Sequence, residues 1–188
     1  EVNEAYNKDH ATNVEMAGIT KKLCGATRPA HFTGVCTIVS KLFNIINPDQ
    51  AYFGQKDAQQ VLVIKKMVAD LNFNIEIKTV PIIREEDGLA VSSRNQYLNT
   101  EERKAATILY KSLKLAKKSL KEGNKKTSII KNKIVDFIEQ EELARIDYVK
   151  IVGQNNLEEL DIINGPTLIA LAVYIGQTRL IDNLMMEV

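Results

Sequence analysis

Apolar residues recur at helical spacing in the first quarter of the chain. Val35, Ile38, Val39, Leu42, Phe43 and Ile46 share one face, which predicts an amphipathic helix over 33–46. Pro48 and Asp49 follow it as a stop and turn. Residues 51–53 form a short apolar run ended by Gly54, the pattern of a buried strand in a parallel sheet. From Asp57 the spacing is helical again, with Val61, Ile64, Val68 and Leu71 on one face. Ile75, Ile77 and Thr79 then alternate, as in a strand. Helix, strand, helix, strand implies a right-handed crossover and a parallel sheet.

The pattern changes after Ile83. Residues 84–99, REEDGLAVSSRNQYLN, are polar and without a sustained period, so they read as a long loop. Loops of that length are usually functional or disordered. A long basic helix is expected next, capped by Asn99 or Thr100 and running to about Leu120, near Gly123. A second helix covers about 128–141. The remainder predicts strands over 146–152, 167–175 and 180–188, with Gly165-Pro166 and Gly176-Gln177 as turn signals. The expected fold class is α/β, with residues 1–83 forming part of a Rossmann-like domain. Residues 84–188 form a small α+β domain of two helices against an antiparallel sheet.

Composition narrows the function. The 188 residues are 45% hydrophobic and 26% charged, ordinary for a globular protein. The net charge of +1 gives no global field toward nucleic acid or an anionic membrane, so any anion site must be local. The lysines between 111 and 133 alternate with apolar positions and read as the solvated face of two helices, with no nucleic-acid role. No apolar run approaches the roughly 20 residues that span a bilayer, and no basic-then-apolar leader opens the chain. The expected setting is cytoplasmic, without a membrane partner. Two cysteines and two histidines lack zinc-site spacing, so no His/Cys zinc site is expected and no metal-ligating residue is singled out. Cys24 and Cys36 read as small buried thiols.

Three stretches can carry chemistry. In FGQKDAQQ, Gly54 ends a strand and Asp57 opens a helix, the edge where open α/β sheets bind ligands. Lys56 stands there as a point charge suited to phosphate. Asp57 either caps the helix or accepts from a ribose hydroxyl, and Gln60, one turn on, suits a small polar substrate. The same residues also fit an ordinary strand–turn–helix. SSRN, at 92–95, offers two hydroxyls, consecutive N–H groups and a guanidinium, enough for an anion cradle and equally for a surface turn. In TRPAHF, Arg28 suits a carboxylate, while His31 reads better as a helix-entry residue than as a base.

Taken in order, CGATRPAHFTGV with KLFNIINPD, then AYFGQKDAQQ, then VPIIREEDGLAVSSRNQYL, and finally GQTRLIDNL resemble the pantothenate synthetase family. The similarity runs from about Val14 to Val188 and is loose only over 111–143. It implies a cytidylyltransferase-like nucleotide-binding fold and ATP-dependent ligation of pantoate to β-alanine through a pantoyl adenylate. ATP and Mg²⁺ are the implied cofactors and a homodimer the implied assembly. By the resemblance, Gly54, Gln55, Lys56 and Asp57 match an ATP-contacting loop, and Gln60 matches a pantoate ligand. Ile83 matches a position whose backbone meets adenine. Val91, Ser92, Ser93 and Arg94 match a triphosphate loop similar to the KMSKS loop of class I synthetases. Lys56 and Arg94 are the expected catalytic residues.

The sequence departs from the family in having Gln55 for Glu and Val91 for Met. The family's HxGH motif, which supplies its catalytic histidine, has no counterpart: His10 and His31 are isolated. The chain therefore reads as the C-terminal two-thirds of such an enzyme, and is expected to be catalytically incomplete alone. Two alternatives remain: another nucleotidyl- or adenylyl-transferase of the superfamily, or an inactive binding or assembly module.

Overall fold

The computed structural model describes residues 5, 6 and 8–187. The chain forms two compact units, Glu1–Pro81 and Ile82–Val188, dividing two residues before the boundary expected from sequence. The end of the last expected strand, Val188, lies outside the described residues.

In the first unit a 3-10 turn (Ile19–Lys21) and a single helical turn, α1 (Cys24–Thr27), precede α2 (His31–Ile46). Then come β1 (Gln50–Gly54), a 3-10 turn (Gln55–Asp57), α3 (Ala58–Asp70) and β2 (Glu76–Val80). β1 and β2 pair in parallel, Gln50 opposite Glu76 and Gly54 opposite Val80, across the α3 crossover. This is the Rossmann-like arrangement that the alternation of periods predicted. Left-handed residues stop both long helices. Asn47 (φ 47°) ends α2, and Asn72 (φ 55°) ends α3 with Phe73 N–H returning to the Val68 carbonyl at 3.0 Å.

The burial pattern differs from the expectation in detail. Val61 and Ile64 are buried as predicted, but Val68 is only half-buried and Leu71 is exposed. Gln59, Val63 and Met67 take their place, so the buried stripe of α3 is rotated. On α2 the inward face is Phe32, Cys36, Val39, Ser40 and Phe43, whereas Leu42 and Ile46 are exposed. β1 is not a buried strand: Gln50, Tyr52 and Gly54 face outward. Of this two-stranded sheet, Ala51 and Phe53 of β1 and Ile77 of β2 pack against the core of α2 and α3. Phe43 anchors this core, edge-on to Phe53 (6.5 Å) and Phe73 (5.7 Å). Of the two thiols, Cys36 is buried, which pushes its pKa up, and Cys24 is half-buried.

In the second unit the expected long basic helix is two helices, α4 (Thr100–Ala105) and α5 (Ile108–Lys121). The break falls where Thr107 Oγ1 donates back to the Lys104 carbonyl (2.8 Å), a local bond that competes with helix continuation. Asn99, not Thr100, is the cap, in a reciprocal capping box with Glu102. Gly123 (φ 91°) ends α5, with Asn124 N–H reaching the Ser119 carbonyl. The next helix, α6, covers Thr127–Ile138 and stops short of Glu141. β3 (Ala144–Gly153), β4 (Thr167–Ile175) and β5 (Thr178–Met186) form an antiparallel sheet in order 3-4-5. Leu109, Leu113 and Ala116 of α5 and Ile130, Ile134 and Ile138 of α6 pack against Val149, Ile151, Ile169, Leu171 and Val173. The α5 lysines are exposed, while Lys133 of α6 is half-buried and donates to Ser119 Oγ (3.0 Å).

Candidate functional site

The candidate residues fall into two groups, one in each unit. Gly54 closes β1, and Gln55, Lys56 and Asp57 form the 3-10 turn that feeds α3. Gly54 and Asp57 are exposed; Gln55, Lys56 and Gln60 are half-buried. Asp57 occupies the N-cap position of α3, but its side chain makes no capping hydrogen bond. The capping role considered from sequence is therefore not taken up, because the 3-10 turn holds Asp57 at φ −94°, ψ 55° rather than in extended geometry. Its carboxylate is presented to solvent at the helix entrance, where a hydroxyl donor can reach it.

The anchor of this corner is Gln59, a residue outside the sequence-derived candidates. It is 6% exposed. Its Nε2 donates to the Ile19 (2.9 Å) and Lys22 (2.6 Å) carbonyls, and its Oε1 accepts from Cys24 N–H (3.0 Å). One amide thus satisfies three backbone groups and pins 19–24 against the start of α3. A signal exists in the sequence: position 59 lies four and eight residues before Val63 and Met67, on the buried stripe. Gly25 is needed there too, since a Cβ would overlap the Thr20 carbonyl. Arg28 is exposed at the end of α1, and His31 opens α2 half-buried, its ring 4.9 Å from that of Phe32.

The second group lies on an ordered segment rather than an open loop. Arg84 and Ala90 form an antiparallel bridge. Glu85 N–H bonds the Leu89 carbonyl (2.9 Å) and Val91 N–H bonds the Ile83 carbonyl (3.0 Å). Ile83 and Val91 are therefore side by side on a hairpin whose turn is Gly88 (φ 93°). Ser92 caps the 3-10 helix Ser93–Tyr97 through its hydroxyl, which accepts from Arg94 N–H at 3.2 Å. Ser93 and Arg94 are exposed and Ser92 half-buried. Asn95 ties this turn back, donating to Glu85 (2.9 Å) and to the Ala90 carbonyl (3.2 Å), while its Oδ1 is buried without a partner.

Acidic residues beside this segment are neutralised locally. Arg103 Nη2 donates to Glu85 (2.6 Å) and Nη1 to Asp87 (2.5 Å). The hydrogen bonds from Arg103 hold both carboxyls below their usual range, aided by Asn95 at Glu85 and by Leu89 N–H at Asp87. The same pairs raise the Arg103 pKa, with Asp87 the larger cause. Anchoring these charges on Arg103 lessens their repulsion of an anion near Ser92–Arg94.

Among the described residues, no group of three or more His, Cys, Asp or Glu side chains is placed to hold a metal, and no helix is long and apolar enough to cross a membrane. Two depressions in the first unit, of about 380 and 570 Å³, are lined by neither candidate group. They are a cleft at Glu15, Thr20, Pro29 and Thr33 and an open groove along Val68, Phe73 and Ile77.

A parallel α/β unit followed by a small antiparallel unit defines the class: a Rossmann-like protein with an added α+β domain. The chain belongs to the pantoate-beta-alanine ligase family, whose model matches residues 1–185. It is 60% identical over 183 residues to the pantothenate synthetase of Clostridium acetobutylicum, an alignment covering 97% of this chain and 65% of that protein. It superposes on the pantothenate synthetase of Thermus thermophilus with a TM-score of 0.95 and 40% identity, over 98% of this chain and 67% of the other. The pantoate-beta-alanine ligase of Francisella tularensis, complexed with beta-gamma ATP and beta-alanine, gives 0.74 and 32%, over 97% of this chain and 61% of that one. The chain spans 64–66% of the length of the curated relatives it matches.

Proposed function

We propose that this chain carries the ATP-activating part of a ligase that joins pantoate to β-alanine. The observation that carries the reading is the Ile83–Val91 pairing, which holds Ile83, the position the family resemblance gives to adenine, beside the start of a Ser92-capped turn. A hairpin fixes these two stretches relative to one another, as recognition of the two parts of one nucleotide requires. Family membership and the Francisella tularensis complex support ATP and β-alanine as ligands.

In this reading Gly54, Gln55, Lys56 and Asp57 meet ATP, with Asp57 on the ribose, and Gln60 holds pantoate. Val91, Ser92, Ser93 and Arg94 meet the triphosphate. A pantoate carboxylate oxygen attacks the α-phosphorus, and the bond to the bridging oxygen of pyrophosphate breaks. Lys56 and Arg94 stabilise charge that shifts onto the α-phosphoryl group and the leaving pyrophosphate. The β-alanine amine then attacks the acyl carbon, AMP departs with the bonding pair, and a proton leaves the nitrogen. Holding that amine near the mixed anhydride supplies much of the second step.

When bound, Mg²⁺ would add neutralising charge to the triphosphate, and the Ser92 or Ser93 hydroxyl would offer it an oxygen donor beside phosphate oxygens and water, a set that suits this ion. The complete activity is assigned to the protein at the length of its relatives, with the family's HxGH histidine, and to a homodimer in the cytoplasm. Isolated, residues 1–188 are expected to turn over at less than about a thousandth of that rate.

The test is pyrophosphate release by the full-length protein with ATP and pantoate, followed by mass detection of pantothenate and AMP once β-alanine is added. Release that is indifferent to pantoate, or supported equally by unrelated carboxylic acids, would point to another adenylyl-transferase. No release at all would favour an assembly module.

A further inference from the structure

The C-terminal GQTRLIDNL stretch has no part in the site described so far, yet the structure ties it to the Ser92–Arg94 turn. Arg84 Nη1 donates to Asp182 Oδ2 at 2.7 Å and Nη2 to Asp182 Oδ1 at 2.9 Å, a two-pronged pair between residues 98 apart in sequence. The Asp182 side chain is 2% exposed and that of Arg84 19%. Asp182 stands opposite Leu171 in the sheet, on the face that packs against α5 and α6. Arg84 Nη1 also donates to the Gly88 carbonyl at 3.0 Å, and its guanidinium lies 4.1 Å from the Tyr110 ring centroid. One guanidinium therefore binds the hairpin turn, the last strand and α5.

A buried ion pair is weak evidence for stability, since well-packed apolar side chains often serve as well. What a fork-to-fork pair adds is orientation. Here the oriented object is short and stiff. Arg84 bridges Ala90, Val91 pairs with Ile83, and Ser92 follows within two residues of the bridge. Asn95 then returns to the Ala90 carbonyl and Glu85, closing the turn onto the same hairpin. A rotation of Arg84 about Asp182 would be carried directly to the Ser92 hydroxyl, the Ser93 N–H and the Arg94 guanidinium.

We infer that Arg84 and Asp182 form a positioning pair that aims the Ser92–Arg94 donors at the triphosphate, so that the last strand takes part in adenylation without touching substrate. The inference rests on the triphosphate reading of that turn. Displacements of about 1 Å at a site preorganised for charge cost up to about 100-fold in rate. Arg84→Lys keeps the charge but loses the fork; Asp182→Asn keeps the shape but loses the charge.

The test uses the full-length enzyme and measures pantoate-dependent pyrophosphate release and β-alanine KM, normalised to folded protein by thermal melting. Each variant is expected to lower kcat for release about tenfold to 100-fold while leaving the β-alanine KM within about twofold. Arg94→Ala, run alongside, separates the two levels of the argument. If it is inactive while Arg84→Lys and Asp182→Asn turn over normally per folded molecule, the positioning role is overturned and the triphosphate reading stands. If Arg94→Ala is itself normal, the triphosphate reading fails and the positioning role with it. If only one positioning variant folds, that variant decides. If neither folds, the pair is purely structural and the inference is overturned.

Discussion

Val91 N–H donates to the Ile83 carbonyl at 3.0 Å. Eight residues apart in sequence, these two become neighbours because Gly88 turns the chain between them at φ 93°. The backbone position proposed to meet adenine and the start of the turn proposed to meet the triphosphate are thus held on one hairpin.

Gly88 is the hinge of that arrangement. It has a left-handed backbone, and a Cβ there would overlap the Tyr110 ring. Gly88→Ala combines backbone strain with overpacking and is expected to cost about 2–4 kcal/mol. Urea unfolding monitored on Tyr110 would measure it. A change below about 0.5 kcal/mol would mean that the hairpin does not need the close approach.

Gln59→Ala leaves the Ile19 and Lys22 carbonyls and Cys24 N–H without their shared partner. A loss of about 2–3 kcal/mol is expected, because these groups are partly shielded from water. Hydrogen exchange should rise at 19–25 more than elsewhere in the unit. Uniform exchange across the unit would contradict the brace.

In the full-length enzyme, Lys56→Ala and Arg94→Ala are each expected to lower pantoate-dependent pyrophosphate release by about 10²–10³, with melting temperatures little changed. If both act on one triphosphate, the double variant should fall well short of the product of the two effects. Multiplicative losses in single-turnover experiments would show that the two cations work on separate events.

Acid should loosen the 84–95 segment. Arg103 lowers the pKa of Glu85 and Asp87 in the folded state, so both bind protons more readily when unfolded. Their contribution is complete above the ordinary carboxylate range, about 4, and is lost as pH falls through their lower folded values. Partial exposure keeps it below about 1 kcal/mol. Arg103→Met should flatten the dependence of stability on pH below about 4. Denaturation at stepped pH that gives the same slope in both proteins would remove the role given to Arg103.

The parallel pair, the crossover helix and the three C-terminal strands were legible because each rests on a local pattern, a period in some and an apolar run bounded by turn residues in others. The 84–97 segment was not, since its order comes from isolated bonds: one bridge, one capping serine and Asn95 reaching back ten residues to Glu85. Gln59 was visible in principle as a polar residue on an apolar stripe. The helix break at Thr107 depended on a hydroxyl choosing a backbone acceptor, which a hydrophobic pattern does not record.

Sequence alone determined the class of fold, the motif order that marks the family, and which residues carry the charge and hydroxyls proposed for the site. These follow from residue type and near-neighbour spacing. Tertiary structure decided which face of α3 is buried, that Asp57 leaves its helix uncapped by its side chain, and that Arg84 meets Asp182. Such outcomes depend on partners far apart in the chain, whose meeting is fixed by packing and by the cost of burying unpaired polar groups.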